Sequence, residues 1–252
     1  MSRQIEIEHE IEAVSMAEGA GARVRRLFPT REHQHVDPFV LLDEFTVDPT
    51  AGFPDHPHGG FEAVTYMLEG SFRHRDNLGN DEVVSAGGVQ RFTAGERIVH
   101  AELPAGEQVS HGLQLWINLP RRLKDMEPDY QPVPADEIPD SEERGVRIRT
   151  VVGKGSPVEL HTNVRYIDVT LEPAEVDHQV TYDDEVPPDW NGLIYVLQGE
   201  VTVGGRSVDR GKAVAFRGGG QVRVTATEPS RVVLIAGQPH REPIRQRGSF
   251  VK

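Results

Sequence analysis

The chain has 252 residues, room for one large domain or two modest ones, and its 40 acidic against 27 basic residues give a formal charge of −13. That balance excludes direct nucleic-acid binding through a broad basic face. The absence of cysteine excludes disulfides, thiolate metal sites and a cysteine nucleophile, so any metal must use nitrogen and oxygen ligands.

The N-terminal "MSRQIEIEHEIEAV" has no signal-type apolar core, and no run is long enough to span a bilayer. A soluble cytoplasmic protein without a membrane partner is expected. Basic residues are nearly all arginine, with only Lys124, Lys154, Lys212 and Lys252 as lysines. This suits either a high-salt cytoplasm or an ordinary acidic protein from a GC-rich genome.

Short β-type runs bounded by glycine, proline and aspartate dominate the chain. "FEAVTYMLEG" (61–70), "VVSAGGVQRFTAG" (83–95) and "HGLQLWINLP" (111–120) read as strands in the first half. "GVRIRTVVG" (145–153), "VRYIDVTLEP" (164–173), "GLIYVLQGEVTVGG" (192–205) and "SRVVLIAG" (230–237) do so in the second. Helix is confined to short pieces such as "PRRLKDM" near 120–126. Many short strands at regular spacing predict an all-β fold of sandwich or barrel type. Between the halves, "EPDYQPVPADEIPDSEERG" (127–145) is rich in proline and acid and reads as a linker or crossover.

The halves resemble each other. "YMLEGSFRH" (66–74) matches "YVLQGEVTV" (195–203), and "AGGVQRFTAGERIVHAE" (86–102) matches "RGKAVAFRGGGQVRVTA" (210–226). A repeat of this length indicates a duplicated domain. The expected division is a metal-binding barrel over 1–130, a crossover over 131–144 and a metal-free barrel over 145–252.

In "FPDHPHGGFE" (53–62), strand alternation places His56, His58, Gly60 and Glu62 on one face. In "RIVHAELP" (97–104) it places His100 and Glu102 on one face. Either pair alone is weak. Together they form a borderline-hard donor set suited to Fe(II), Mn(II), Ni(II), Cu(II) or Zn(II). The repeat supplies an internal control: the alignment sets Val224 and Ala226 opposite His100 and Glu102, and Glu185 and Pro187 opposite His56 and His58. The second copy keeps scaffold glycines and loses all four candidates.

"DPFVLLDEF" (37–45), "HPHGGFEAVTYMLEG" (56–70), "TAGERIVHAE" (93–102), "HGLQLWINLP" (111–120) and "EPDYQ" (127–131) resemble the pirin family of the cupin superfamily. The resemblance implies a bicupin of two antiparallel β-barrels face to face, with one mononuclear metal in the N-terminal barrel. By motif, His56, His58, His100 and Glu102 would be its ligands, with Glu62 an alternative ligand or a neighbour of the site. Iron(II) is the first expectation, with Mn, Ni, Cu, Co or Zn as alternatives. The family is linked with quercetin 2,3-dioxygenase activity and, in eukaryotes, with an iron-dependent transcription-cofactor role. Two functions are therefore expected in competition. One is a dioxygenase taking a flavonol or related enol and O2, with Glu102 or Glu62 as base. The other is a metal-dependent regulatory protein that works through a protein partner without turnover. The chain is otherwise expected to be a monomer. It ends at "GSFVK", short of the family's usual extension, which leaves the packing of its C-terminus open.

His33, His35 and His74 are expected to be solvent-exposed, His111 structural, and the Arg23, Arg25, Arg26 cluster a solvated turn. No phosphate loop, serine elbow or zinc-finger spacing appears.

Overall fold

The computed structural model describes residues 3–175 and 178–252. Among them the only helical turn is a 3-10 segment, Arg121–Leu123. All other regular structure is strand, and every strand pairing is antiparallel.

The chain divides into two compact units. One comprises Val14–Ile138, Pro157–Thr162 and His240–Lys252; the other comprises the described residues up to Ala13, Pro139–Ser156 and Asn163–Pro239. In the first, a seven-stranded sheet runs in the order Asp129–Val133, Val89–Thr93, Phe61–Glu69, Ser110–Asn118, Phe39–Val47, Ala22–Phe28 and Val14–Glu18. Its four-stranded sheet runs Phe53–His58, Ile98–Pro104, Ser71–Asp76 and Asp81–Ser85. The second unit repeats the plan. Its large sheet runs Ile7–Glu12, Lys212–Arg217, Asn191–Gln198, Ser230–Gly237, Val164–Leu171, Val146–Val152 and Asp140–Glu143. Its small sheet runs Val180–Glu185, Gln221–Ala226, Glu200–Val203 and Arg206–Asp209. Each unit is a cupin-type antiparallel barrel.

The duplication is visible at a single turn. Gly70 and Gly199 sit at φ +70° and +72°, where a side chain is strained, and a Cβ on either would lie 2.6 Å from the carbonyl oxygen of Val109 or Pro229. Both copies therefore need glycine at the same hairpin.

The cores follow from the alternation of β-branched and aromatic residues. In the second unit Val169, Ile194, Val196, Val214, Phe216, Val224 and Leu234 are buried together. In the first, Leu41, Phe61, Phe92, Trp116 and Val251 form one cluster, and Phe45, Met67 and Phe72 another. Each such side chain contributes roughly 1.5–3 kcal/mol of transfer free energy.

Several sequence expectations are corrected. The division at 1–130, 131–144 and 145–252 is too simple. The strand Ile7–Glu12 pairs with Lys212–Arg217, and His240–Lys252 clusters with the first half. The crossover is not structureless: Asp129–Val133 pairs with Val89–Thr93, and Asp140–Glu143 with Val146–Val152. Backbone pairing satisfies these amides despite the acidic composition. The run 83–95 is two strands broken at residues 86–88, and 192–205 is broken at Gly199. Arg23, Arg25 and Arg26 lie on a strand, not a turn. Arg26 donates to both carboxylate oxygens of buried Asp43 at 2.8 and 2.7 Å, and Arg25 lies 3.5 Å from buried Glu44.

Candidate metal centre

The small sheet of the first unit carries the candidate donors. Ile98–Pro104 is its second strand, with Phe53–His58 on one side and Ser71–Asp76 on the other. His100 pairs with His56 on the first and with Asp76 on the second, and Glu102 pairs with His74. A bulge between His100 and Glu102 breaks the register towards Phe53–His58. Residues two apart, and residues directly opposite, share a face. His56, His58, His74, Asp76, His100 and Glu102 therefore emerge on one side of this sheet.

The rings converge. Centroids lie 4.5 Å apart for His56–His58 and His56–His100, and 4.9 Å apart for His58–His100. Ligand atoms of these three histidines all lie within 4.8 Å of one another, and the same holds for His74, His100 and Glu102. His56 Nδ1 faces the carbonyl oxygen of Pro54 at 2.7 Å, and His58 Nδ1 that of Ser249 at 3.3 Å. A carbonyl only accepts, so each Nδ1 carries the proton and each Nε2 keeps its lone pair. His100 is fully buried, and its Nε2 has no hydrogen-bond partner.

Burial pulls the His58 imidazolium down to about 3, helped by the neighbouring charge of His56 and opposed by the Ser249 carbonyl. Burial likewise holds His100 well below the ordinary histidine value, reinforced by His58, His56 and His74. Neutral imidazoles with free lone pairs are the form that binds a metal. An orphaned buried nitrogen beside two more available nitrogens fits a divalent transition ion; Glu102 clusters with His100 and His74 and is not drawn into the His56–His58–His100 group.

Glu102 is buried and accepts hydrogen bonds from Gln90 Nε2, from Thr65 Oγ1 at 3.3 Å and from Gln114 Nε2 at 2.9 Å. Three donors aimed at one side chain suit a carboxylate, which only accepts when ionised.

Glu62 does not share the histidines' face. The chain turns at Gly60 (φ +84°), so Glu62 is the second residue of the strand Phe61–Glu69 in the other sheet. Its carboxylate accepts from Thr93 Oγ1 at 3.2 Å and from the backbone amides of His161 at 3.1 Å and Thr162 at 3.3 Å. Burial raises its carboxyl above the ordinary value, with the His161 amide pulling the other way.

His74 was expected at the surface but is fully buried. Its ring stacks on Tyr130 with centroids 4.0 Å apart, its Nε2 lies 2.9 Å from Asp76 Oδ2, and its Nδ1 lies 3.4 Å from His100 Nδ1. "HRD" at 74–76 repeats the two-apart spacing of the other donor pairs, and that signal was legible. Burial works to raise the Asp76 carboxyl, but hydrogen bonds from Asn80, His74 and Leu78 outweigh it and hold it below the ordinary range. Of the other histidines, His35 is exposed and His33 is half-buried. His111 Nε2 lies 2.9 Å from Glu44 Oε1, a structural pairing.

A cavity of about 580 Å³ opens beside the site, within the range of small-molecule pockets. Leu41, Phe45, Phe53, Phe72 and Trp116 form its apolar wall, while His56, His58 and Gln114 line it with polar groups.

The second unit differs at the matching places. With His100 aligned to Val224, strand pairing sets Tyr182 opposite His56 and Asp184 opposite His58, instead of Glu185 and Pro187. The sequence alignment slipped because residues 186–190 join the two strands here, where residues 59–60 suffice in the first unit. Tyr182 donates to Asp184 at 2.7 Å, and this unit's only histidines are His9 and His178.

The pattern of the Pirin family matches residues 21–117, and that of the Pirin C-terminal cupin domain matches residues 166–252. A pirin-like protein of Solanum lycopersicum is 44% identical over 93% of this chain and 82% of its own length. Pirin of Homo sapiens is 39% identical over 93% of this chain and 83% of its own. Among solved structures, a quercetin 2,3-dioxygenase from Acinetobacter baumannii superposes with a TM-score of 0.88 at 28% identity, covering 99% of this chain and 92% of that one. With both barrels matched in sequence and in fold, the chain belongs to the pirin family of bicupins.

Proposed function

We propose that this protein is a mononuclear metal dioxygenase of the quercetin 2,3-dioxygenase type, with the metal in the first barrel only. His56, His58 and His100 are its nitrogen ligands through Nε2, and Glu102 is the carboxylate. The observation that carries the reading is the buried, unpartnered Nε2 of His100, on a ring whose centroid lies 4.5 and 4.9 Å from those of His56 and His58. Likeness to the Acinetobacter baumannii enzyme supports the choice of reaction class. Iron(II) is the first candidate metal, because imidazole with carboxylate suits it, though the same set also takes Mn, Ni, Cu, Co or Zn.

Three neutral imidazoles, one carboxylate and a divalent ion would leave a net charge of about +1, which a monoanionic oxygen ligand neutralises most strongly in a buried site. Bound there, the metal supplies Lewis acidity and a template for a flavonol or related enol that reacts with O2. The protein's own residues do the rest. The aromatic wall of Phe45, Phe53, Phe72 and Trp116 suits a flat ring system. Trp116 Nε1 donates to Gln114 Oε1 at 3.2 Å, which turns the Gln114 amide nitrogen onto Glu102. Glu102 is the acceptor for the proton that the substrate hydroxyl loses. Glu62, committed to the His161 and Thr162 amides, is not that base.

The test is reconstitution with each divalent metal in the presence of quercetin and O2. Oxygen uptake and bleaching of the flavonol should run in step and fall to background in His58→Ala. Tight metal binding with no bleaching for any metal would transfer the assignment to a regulatory protein without turnover.

A further inference from the structure

The three candidate imidazoles are not held alike. His56 and His58 rest their Nδ1 atoms on the backbone carbonyls of Pro54 and Ser249. His100 has no carbonyl at that position. Its Nδ1 meets Nδ1 of His74 at 3.4 Å, and His74 Nε2 meets Asp76 Oδ2 at 2.9 Å. We propose that Asp76 and His74 are positioning residues that set the tautomer of His100 and so aim its Nε2 lone pair at the metal. The inference rests on His100 being a ligand, as proposed above.

The polarity of the chain follows from its far end. The Asp76 side chain is fully buried and anchored: Oδ1 accepts from the amides of Leu78 at 2.9 Å and Asn80 at 3.1 Å, and Oδ2 accepts from Asn80 Nδ2 at 2.8 Å. A carboxylate surrounded by donors can only accept, so His74 Nε2 must carry a proton and donate it to Oδ2. Neutral His74 then has a bare Nδ1, which accepts from His100. That places the His100 proton on Nδ1 and leaves Nε2 as a lone pair, the atom found without a protein partner. Reversing any one link would put a proton on His100 Nε2, where it would block coordination.

Outer partners of this kind orient a ligand and raise its basicity, and losing one typically costs about 10- to 100-fold in metal affinity. Tyr130 holds the His74 ring in plane, with ring planes 10° apart. Because the partner of His100 is built from side chains, it can be altered by substitution, unlike the carbonyls behind His56 and His58.

Two measurements test this. In Zn(II)-loaded wild-type protein, long-range 15N–1H spectra should show His74 protonated at Nε2, and His100 protonated at Nδ1 with Nε2 bound to metal. A proton on His74 Nδ1 overturns the proposal without any variant. Competition titration with Zn(II) should then show about 10- to 100-fold weaker binding in Asp76→Asn. Its amide oxygen can keep the bonds from the Leu78 and Asn80 backbone amides, while its NH2 group reverses the polarity towards His74 and gives up the bond from Asn80 Nδ2. His74→Phe keeps the stack on Tyr130, removes both nitrogens, and should weaken binding similarly. Wild-type affinity in a folded Asp76→Asn, with binding abolished in His100→Ala, refutes the relay alone. Wild-type affinity in His100→Ala refutes the ligand assignment beneath it.

Discussion

Val251→Ala probes whether the C-terminal segment is part of the first barrel. Val251 is 1% exposed and packs in the cluster of Phe61, Phe92 and Trp116. The substitution removes two buried carbons, about 1.6 kcal/mol of transfer free energy at ~0.8 kcal/mol each. A cavity of roughly 40 Å³ would add about 1 kcal/mol if the site does not collapse. The expected loss is therefore about 2–3 kcal/mol, or roughly 4–12 °C in the unfolding midpoint for a protein this size. It should be measured by urea denaturation of metal-free protein, since bound metal would add its own stabilisation. Gly60→Ala attacks the same seam from the opposite side. A Cβ there would lie 1.9 Å from the Val251 carbonyl oxygen, at a φ of +84° that already disfavours a side chain. It should cost more than Val251→Ala. Lys124 Nζ ties the seam by donating to the carbonyls of Gly60 at 2.8 Å and Val251 at 3.2 Å and to Asn118 Oδ1 at 2.6 Å. If both variants unfold within about 0.5 kcal/mol of wild type, in the range of ordinary surface substitutions, the packing argument is wrong.

Glu62→Gln should lower stability by about 1–3 kcal/mol, because its NH2 group faces a buried amide donor, yet leave Zn(II) affinity unchanged. Glu102→Gln should instead weaken metal binding and remove most turnover; the reverse pattern in the two titrations would exchange their roles. In metal-free protein, His58 titrates near 3 when folded and near its ordinary 6.5 when unfolded. The unfolded chain thus binds the extra proton first, and stability should fall as pH drops below 6.5 and level off near 3. The loss is on the order of a few kcal/mol, and a urea midpoint equal at pH 7 and pH 5 would contradict it. Elemental analysis should return about one metal per chain, and two would refute the assignment of metal to the first barrel alone.

Features that depend on short spacing along the chain were readable from the residues alone. Alternation of apolar and polar residues is a backbone property, so the β class, the His-x-His and His-x-Glu pairs and the hairpin glycines Gly70 and Gly199 were legible. So was the family, carried by motifs of contiguous residues. Tertiary structure decided what depends on which strand lies beside which. Gly60 turned Glu62 out of the histidines' row and into another sheet, although the two-residue period continues through it. The pairing of Ser71–Asp76 with Ile98–Pro104 buried His74 behind His100; Phe72, two residues earlier on the same face, marks that face as inward, but only the pairing shows that it meets His100. Within the acidic stretch 127–145, Asp129–Val133 became a strand because Val89–Thr93, about 40 residues earlier, supplied its backbone hydrogen bonds, while Asp140–Glu143 closes a local hairpin with Val146–Val152. Side-chain period sets a residue's face within its own strand. The neighbour across the ladder, and hence what that face meets, is chosen by contacts between residues distant in sequence.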